Sequence, residues 1–101
     1  MPDLITLYWR DIPSQVIAKA GRKTAKRELS ERFIRAIDAA AMHAGAKSAD
    51  AYLEDWRRGT PVPCGDDLEA EAEAAAARIE ADYDTHRLAV LAKHDGRENP
   101  A

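Results

Sequence analysis

LITLYWRDIPSQVIAKA, residues 4–20, is the one stretch of the chain whose residue types ask for β structure. Across residues 4–9 both alternating sets are apolar, Leu4, Thr6 and Tyr8 against Ile5, Leu7 and Trp9, which reads as a strand covered on both faces. Arg10, Asp11, Ile12 and Pro13 then make a short turn, in which proline fixes φ and withholds a ladder donor, before Val16, Ile17 and Ala18 resume an extended pattern. A parallel crossover needs a dozen or more connecting residues, so the pairing is expected to be an antiparallel hairpin. A lone hairpin is marginal in water, and the helices that follow are expected to pack on it.

Downstream, Gly21 ends the second strand, and Arg22, Lys23, Lys26 and Arg27 form a basic connector. Ser30 is a natural N-cap, Glu31 suits the positive helix start, and Phe33, Ile34, Ile37, Ala40, Ala41 and Ala44 recur at helical spacing up to Gly45. A second, shorter helix is expected from a Ser48 cap, with Asp50 in its first turn, Tyr52 and Trp56 at i and i+4, and Arg57 and Arg58 before a stop at Gly59. TPVPCG, residues 60–65, holds two prolines and reads as a connector. The third and longest helix starts at Asp66 to Glu69 with Asp67 in its first turn, and carries Leu68, Ala72, Ala75, Ala76, Ile79 and Tyr83 on one face. Leu88 and Leu91 fall out of that phase, so Asp84 and Thr85 mark a kink or break. The fold class is therefore α+β: an N-terminal antiparallel β-hairpin and three helices, the last broken near Asp84, in one domain over residues 1–95 with a frayed polar tail over 96–101.

The hydrophobic fraction is 46%, yet 21 residues are alanine, so the core is thin and rests on Trp9, Trp56, Phe33, the tyrosines and the Ile/Leu set. A net charge of -3 argues against a surface that attracts nucleic acid or anionic membrane as a whole. Charge is nevertheless polarised. Residues 14–35 hold seven cations against two carboxylates, and residues 66–84 hold eight carboxylates against one arginine. The single cysteine, the absence of a signal-peptide pattern at the start, and the absence of an apolar run of about 20 residues lead to the expectation of a cytoplasmic protein without membrane association.

YWRDIPSQV, GRKTAKRELSERF and the WRR after Asp55, together with YLEDWRRG and GDDLEAE, resemble the small bacterial virulence factor family, over roughly residues 4–83. The resemblance implies a short, soluble protein of alphaproteobacterial type and transfers no catalytic residues. It also implies, as an alternative, an accessory role beside folate- or corrinoid-linked one-carbon, methyl-transfer enzymes.

Three constellations stand out. Arg22, Lys23, Lys26 and Arg27 are the strongest local signal, readable as an anion-binding surface or as a solvated connector; no aromatic residue is interleaved for base stacking. Trp9, Arg10 and Asp11, and Trp56, Arg57 and Arg58, each place arginine after tryptophan, where it can stack on indole or fork to Asp11, Glu54 or Asp55. Such residues dominate protein interaction sites, and they equally serve as core anchors. Cys64 precedes a helix start, but Asp66 and Asp67 oppose its thiolate, and His43, His86 and His94 lack the paired spacing of a zinc site. No phosphate loop, nucleophile elbow or HExxH is present. The expectation is a non-enzymatic interaction or accessory protein, without cofactor or metal. It presents a basic and aromatic surface to a protein partner, and nucleic-acid or other polyanion binding is the second alternative.

Overall fold

The computed structural model describes residues 2–45 and 49–97. The expected hairpin is present: β1 (Asp3–Trp9) pairs antiparallel with β2 (Ile12–Ala20), Trp9 opposite Ile12 and Ile5 opposite Ile17, with a register shift at Leu7/Tyr8. The sheet goes further than the hairpin. β3 (Lys23–Glu28) pairs antiparallel with β2, so the residues expected as a basic connector, Lys23, Lys26 and Arg27, lie in an edge strand and Arg22 in the turn leading to it. Its only buried side chain is Ala25, and one small apolar residue among charges gives no alternation to read.

α1 (Glu31–His43) follows, burying Phe33, Ala36, Ile37, Ala40 and Ala41, whereas Ile34 is exposed. Ser30 sits at its N-cap position, but its hydroxyl does not cap the helix; it donates to Glu80 instead. α2 (Ala49–Glu54) is short, and the Ser48 cap expected for it lies outside the described residues. Trp56, Arg57 and Arg58, expected in the last helical turn, form β4 (Trp56–Arg58) against β1: Trp9 opposes Trp56, Tyr8 opposes Arg57 and Leu7 opposes Arg58. The free edge of β1 supplied partners that local helix propensity could not outweigh. β5 (Val62–Pro63), inside the expected connector, pairs the other end of β1 at Asp3 and Leu4. Between the two short strands, Gly59 donates its N–H to the Thr6 carbonyl at 2.7 Å, and a Cβ there would lie 3.1 Å from that oxygen. Glycine lets the chain pass β1 this closely. The strand order is β3-β2-β1-β4, with β5 also beside β1.

The last helix is broken as its phase implied, into α3 (Leu68–Asp82) and α4 (Thr85–Lys93). Asp67 caps α3 through the Ala70 N–H, and Asp84 caps α4 through the Arg87 N–H, so the residue at the break starts the next helix. Two cores result. Trp9, Ile12, Leu29, Phe33, Ile37, Ala40, Leu88 and Leu91 form the larger, between the turn end of the hairpin, α1 and α4. Val16, Ala18 and Ala25 on the sheet meet Ala72 and Ala75 of α3 in the smaller. Full burial of a side chain such as Phe33 is worth roughly 2–3 kcal/mol, so the larger core holds most of the stabilisation. Gly96, expected in a frayed tail, is buried: at φ 83 it lies against the Trp9 ring, and its carbonyl accepts from the Asp11 N–H at 2.8 Å. Residues 98–101 lie outside the described set.

Candidate interaction surface

The candidate residues divide between two places. At the first, the β1–β2 turn, Trp9, Arg10, Asp11, Trp56 and Arg57 come together. Trp9 is fully buried, stacks on Tyr52 with centroids 5.8 Å apart, and donates its indole N–H to the Tyr52 carbonyl at 2.8 Å. Trp56 meets Tyr52 edge-on at 5.9 Å. Arg10 occupies left-handed backbone at φ 55, where a side chain costs about 1–2 kcal/mol. Three elements hold it there. Its Nε and Nη2 donate to Asp55 Oδ2 at 3.2 and 3.1 Å, its Nη1 donates to the Asp95 carbonyl at 2.8 Å, and its guanidinium lies 4.8 Å from the Trp9 ring. Arg57 lies 4.4 Å over Tyr8, donates to the Arg10 carbonyl at 2.9 Å and pairs with Asp11 at 3.3 Å. The tryptophans and Arg10 thus act as core anchors, binding the turn to the start of β4 and the end of α4.

At the second place, two strands away, the basic run lies along the free edge of the sheet. Arg27 is consumed within the fold, paired with Glu69 of α3 at 2.5 Å. Arg22, Lys23 and Lys26 are exposed and make no ion pair among the described residues. Lysine on an edge strand discourages pairing with another copy, and this accounts for Lys23 without any ligand. Arg58, at the opposite edge, likewise makes no described ion pair.

A feature not anticipated from the sequence lies between these edges. Residues directly opposed in antiparallel strands share a face. Leu4, Val16, Ala18, Ala25 and Arg27 face α3, whereas Ile5, Ile17 and Lys26 form a row on the other face, flanked by Asp3 with Lys19 and by Leu7 with Arg58 and Gln15. Ile5 and Ile17 are buried and Leu7 half-buried, yet none of the three belongs to either of the two core clusters. Two shallow grooves cross this face. One, of about 460 Å³, is lined by Ile5, Asp3, Lys19, Gly21, Arg58, Gly59 and Pro61, and the other, of about 410 Å³, by Leu7, Ser14, Gln15, Trp56, Arg57 and Arg58. Arg58 borders both. In β1 the set Ile5, Leu7 and Trp9 buries Ile5 and Trp9, and the set Leu4, Thr6 and Tyr8 is half-buried, so both apolar sets are at least partly covered.

Burial raises the Cys64 thiol above its usual pKa, and Glu71, Asp3 and Asp66 push the same way, which disfavours the nucleophilic thiolate. Among the described residues no three His, Cys, Asp or Glu side chains cluster to hold a metal ion. No described helix is long and apolar enough to cross a membrane. The acidic helix contributes one strong site of a structural kind. Partial burial pushes Glu80 up, but the Ser30 N–H, the Ser30 hydroxyl and Arg32 outweigh it at 2.6, 2.8 and 2.9 Å, holding the carboxyl below its ordinary pKa.

Among curated proteins and among solved structures, none matches this chain. A family model described as Virulence factor matches residues 7–92, from Leu7 in β1 to Ala92 in α4, so that β2 to β5 and α1 to α3 lie wholly within it, with the end of β1 and all of α4 but Lys93. With most of its length matched by that model, the chain belongs to the virulence factor family.

Proposed function

We propose that the domain is a non-enzymatic docking module that presents a basic and partly aromatic surface to a protein partner. The observation that carries this reading is the sheet face turned away from α3, where the exposed Lys19, Lys26 and Arg58 stand around the row of Ile5, Leu7 and Ile17 without a carboxylate partner among the described residues. Grooves at both ends of the row give a partner's side chains somewhere to enter. The buried corner built on Trp9 and Arg10 supports the surface from behind by fixing the strands that form it, and Arg58 and Trp56 reach it through β4.

The test is affinity purification of the tagged chain from cells of its own source, compared with a Leu7→Ser variant whose fold is checked by circular dichroism. A protein recovered with the parent chain and lost with the variant supports docking at this face. Recovery that ignores Leu7→Ser moves the site elsewhere, and recovery of nucleic acid alone replaces a protein partner with a polyanion. A folate- or corrinoid-linked enzyme in the recovered fraction would assign the partner's class.

A further inference from the structure

Among the described residues two that are not glycine hold left-handed backbone, Arg10 at φ 55 and Asp95 at φ 61. Although 85 residues apart, they meet: Arg10 Nη1 donates to the Asp95 carbonyl at 2.8 Å, so the backbone strain of the chain is gathered at one corner. Arg10 lies in the β1–β2 turn. Asp95 lies in the cap of α4, where the Gly96 N–H donates to the Leu91 carbonyl at 2.7 Å and the Asp95 N–H to the Ala92 carbonyl at 3.3 Å, a closure whose left-handed position usually holds glycine. Here aspartate takes it, and its Oδ1 lies 2.5 Å from His43 Nδ1 at the end of α1.

Each strained residue is held by the other's surroundings. The Asp11 N–H finds its acceptor in the Gly96 carbonyl and the Arg10 guanidinium finds one in the Asp95 carbonyl, while those two carbonyls, beyond a helix end, have no helical N–H to accept from. If either side leaves, the other loses these bonds and keeps the cost of its left-handed backbone. We infer that the α4 cap and the β1–β2 turn form a catch with two states, engaged and released, which lets go as one unit while the sheet and both cores stay folded. Release reaches the sheet face. Arg57, which lines a groove there with Leu7 and Trp56, donates to the Arg10 carbonyl and to Asp11 Oδ1, so the engaged catch fixes its guanidinium and the released catch frees it for a partner. That last step rests on the docking reading above; the catch itself does not.

Native-state hydrogen exchange of the full chain, read by NMR in low denaturant, tests the catch from both sides. Arg10→Lys removes the guanidinium fork from the turn, and the Gly96 N–H, whose acceptor is Leu91 within the helix end, should lose protection by roughly fivefold or more. Gly96→Ala strikes the cap, where its Cβ would lie 3.0 Å from the Trp9 ring at a φ of 83. The Arg10 N–H, whose acceptor is the Asp55 carbonyl at 3.1 Å, should then lose protection to a similar extent, and the Arg57 Nε–H resonance should move. Loss confined to the altered side is local damage, so an unmoved Gly96 amide in the first variant or an unmoved Arg10 amide in the second overturns the catch. Equal loss across the amides of β2 overturns it too, because the domain then opens as a whole. An unmoved Arg57 signal overturns the link to the groove. Should neither variant fold, the parent chain decides: Asp11 and Gly96 amides sharing one opening, less protected than β2, support the catch, and exchange at the rate of β2 overturns it. Each of these outcomes is independent of whether Leu7→Ser releases a cellular partner, so docking and the catch fail separately.

Discussion

The two faces of the sheet start from the same sequence pattern and end differently. Leu4, Val16, Ala18 and Ala25 are roofed by α3, while Ile5, Leu7 and Ile17, one residue out of step with them, lie outside both core clusters. The difference lies in side-chain size and charge. The covered face opposes alanine to alanine, Ala18 and Ala25 to Ala72 and Ala75, which lets a helix approach closely. On the other face long cationic side chains stand beside the isoleucines. Stems of that kind shelter apolar surface while keeping their heads in water, and Ile5 and Ile17 are each only 9% exposed.

The largest expected effect tests whether stability resides on the roofed side. Trp9→Ala removes the fully buried ring on which Tyr52 and Gly96 rest, and should cost about 3–5 kcal/mol in denaturant unfolding. A cost near that of a surface substitution would mean that the helical core does not depend on the hairpin turn. The next pair compares the faces directly. Ala72→Leu forces a larger side chain between α3 and the sheet and should cost about 1–3 kcal/mol. Leu7→Ala, on the open face, leaves no sealed cavity and should cost about 1 kcal/mol or less. If Leu7→Ala proved the more damaging of the two, the half-buried Leu7 would be bearing more of the packing than the contact beneath α3.

What was legible in the chain follows from the same physics. The hairpin, the α1 stripe, the helix break at Asp84 and the buried role of Trp9 were readable because large apolar residues recur there at a single period. β3, β4 and β5 were not. Each is short or charged, and each is a strand only because a neighbour offers unpaired backbone: β2 to KTAKRE, β1 to WRR and to Val62–Pro63. The same limit applied to the site. Arginine forking to Asp55 and Asp11 was foreseeable from local chemistry, but the part played by Asp95 and Gly96, 85 residues from Arg10 in the first case, was not.

A smaller effect is expected at Arg10, which separates backbone strain from side-chain contacts. Arg10→Ala loses the Asp55 and Asp95 contacts and keeps a Cβ at φ 55; Arg10→Gly loses the same contacts but relieves the left-handed backbone. The alanine variant should therefore be less stable than the glycine variant by about 1 kcal/mol in thermal or denaturant unfolding. Equal stabilities would show that the turn relaxes to another conformation once the guanidinium is gone.

The smallest effect concerns acid, and again belongs to the roofed side alone. Glu80 of α3 binds the N-terminus of α1 through the Ser30 N–H, the Ser30 hydroxyl and Arg32, so its folded pKa lies below its unfolded value. A depressed carboxylate contributes stability that is fully present above the unfolded pKa, about 4.3 for glutamate, and that is lost as pH falls toward the folded one. Glu80→Gln removes this titration while the other carboxylates titrate as before. The stability gap between parent and variant should thus be constant from neutral pH down to about pH 5 and narrow below it. A gap that stays constant to lower pH would mean that the charge of Glu80 does not tie α3 to α1. A gap that narrows would place the acid sensitivity of the fold at the junction of α3 with α1, where Glu80 meets Ser30 and Arg32.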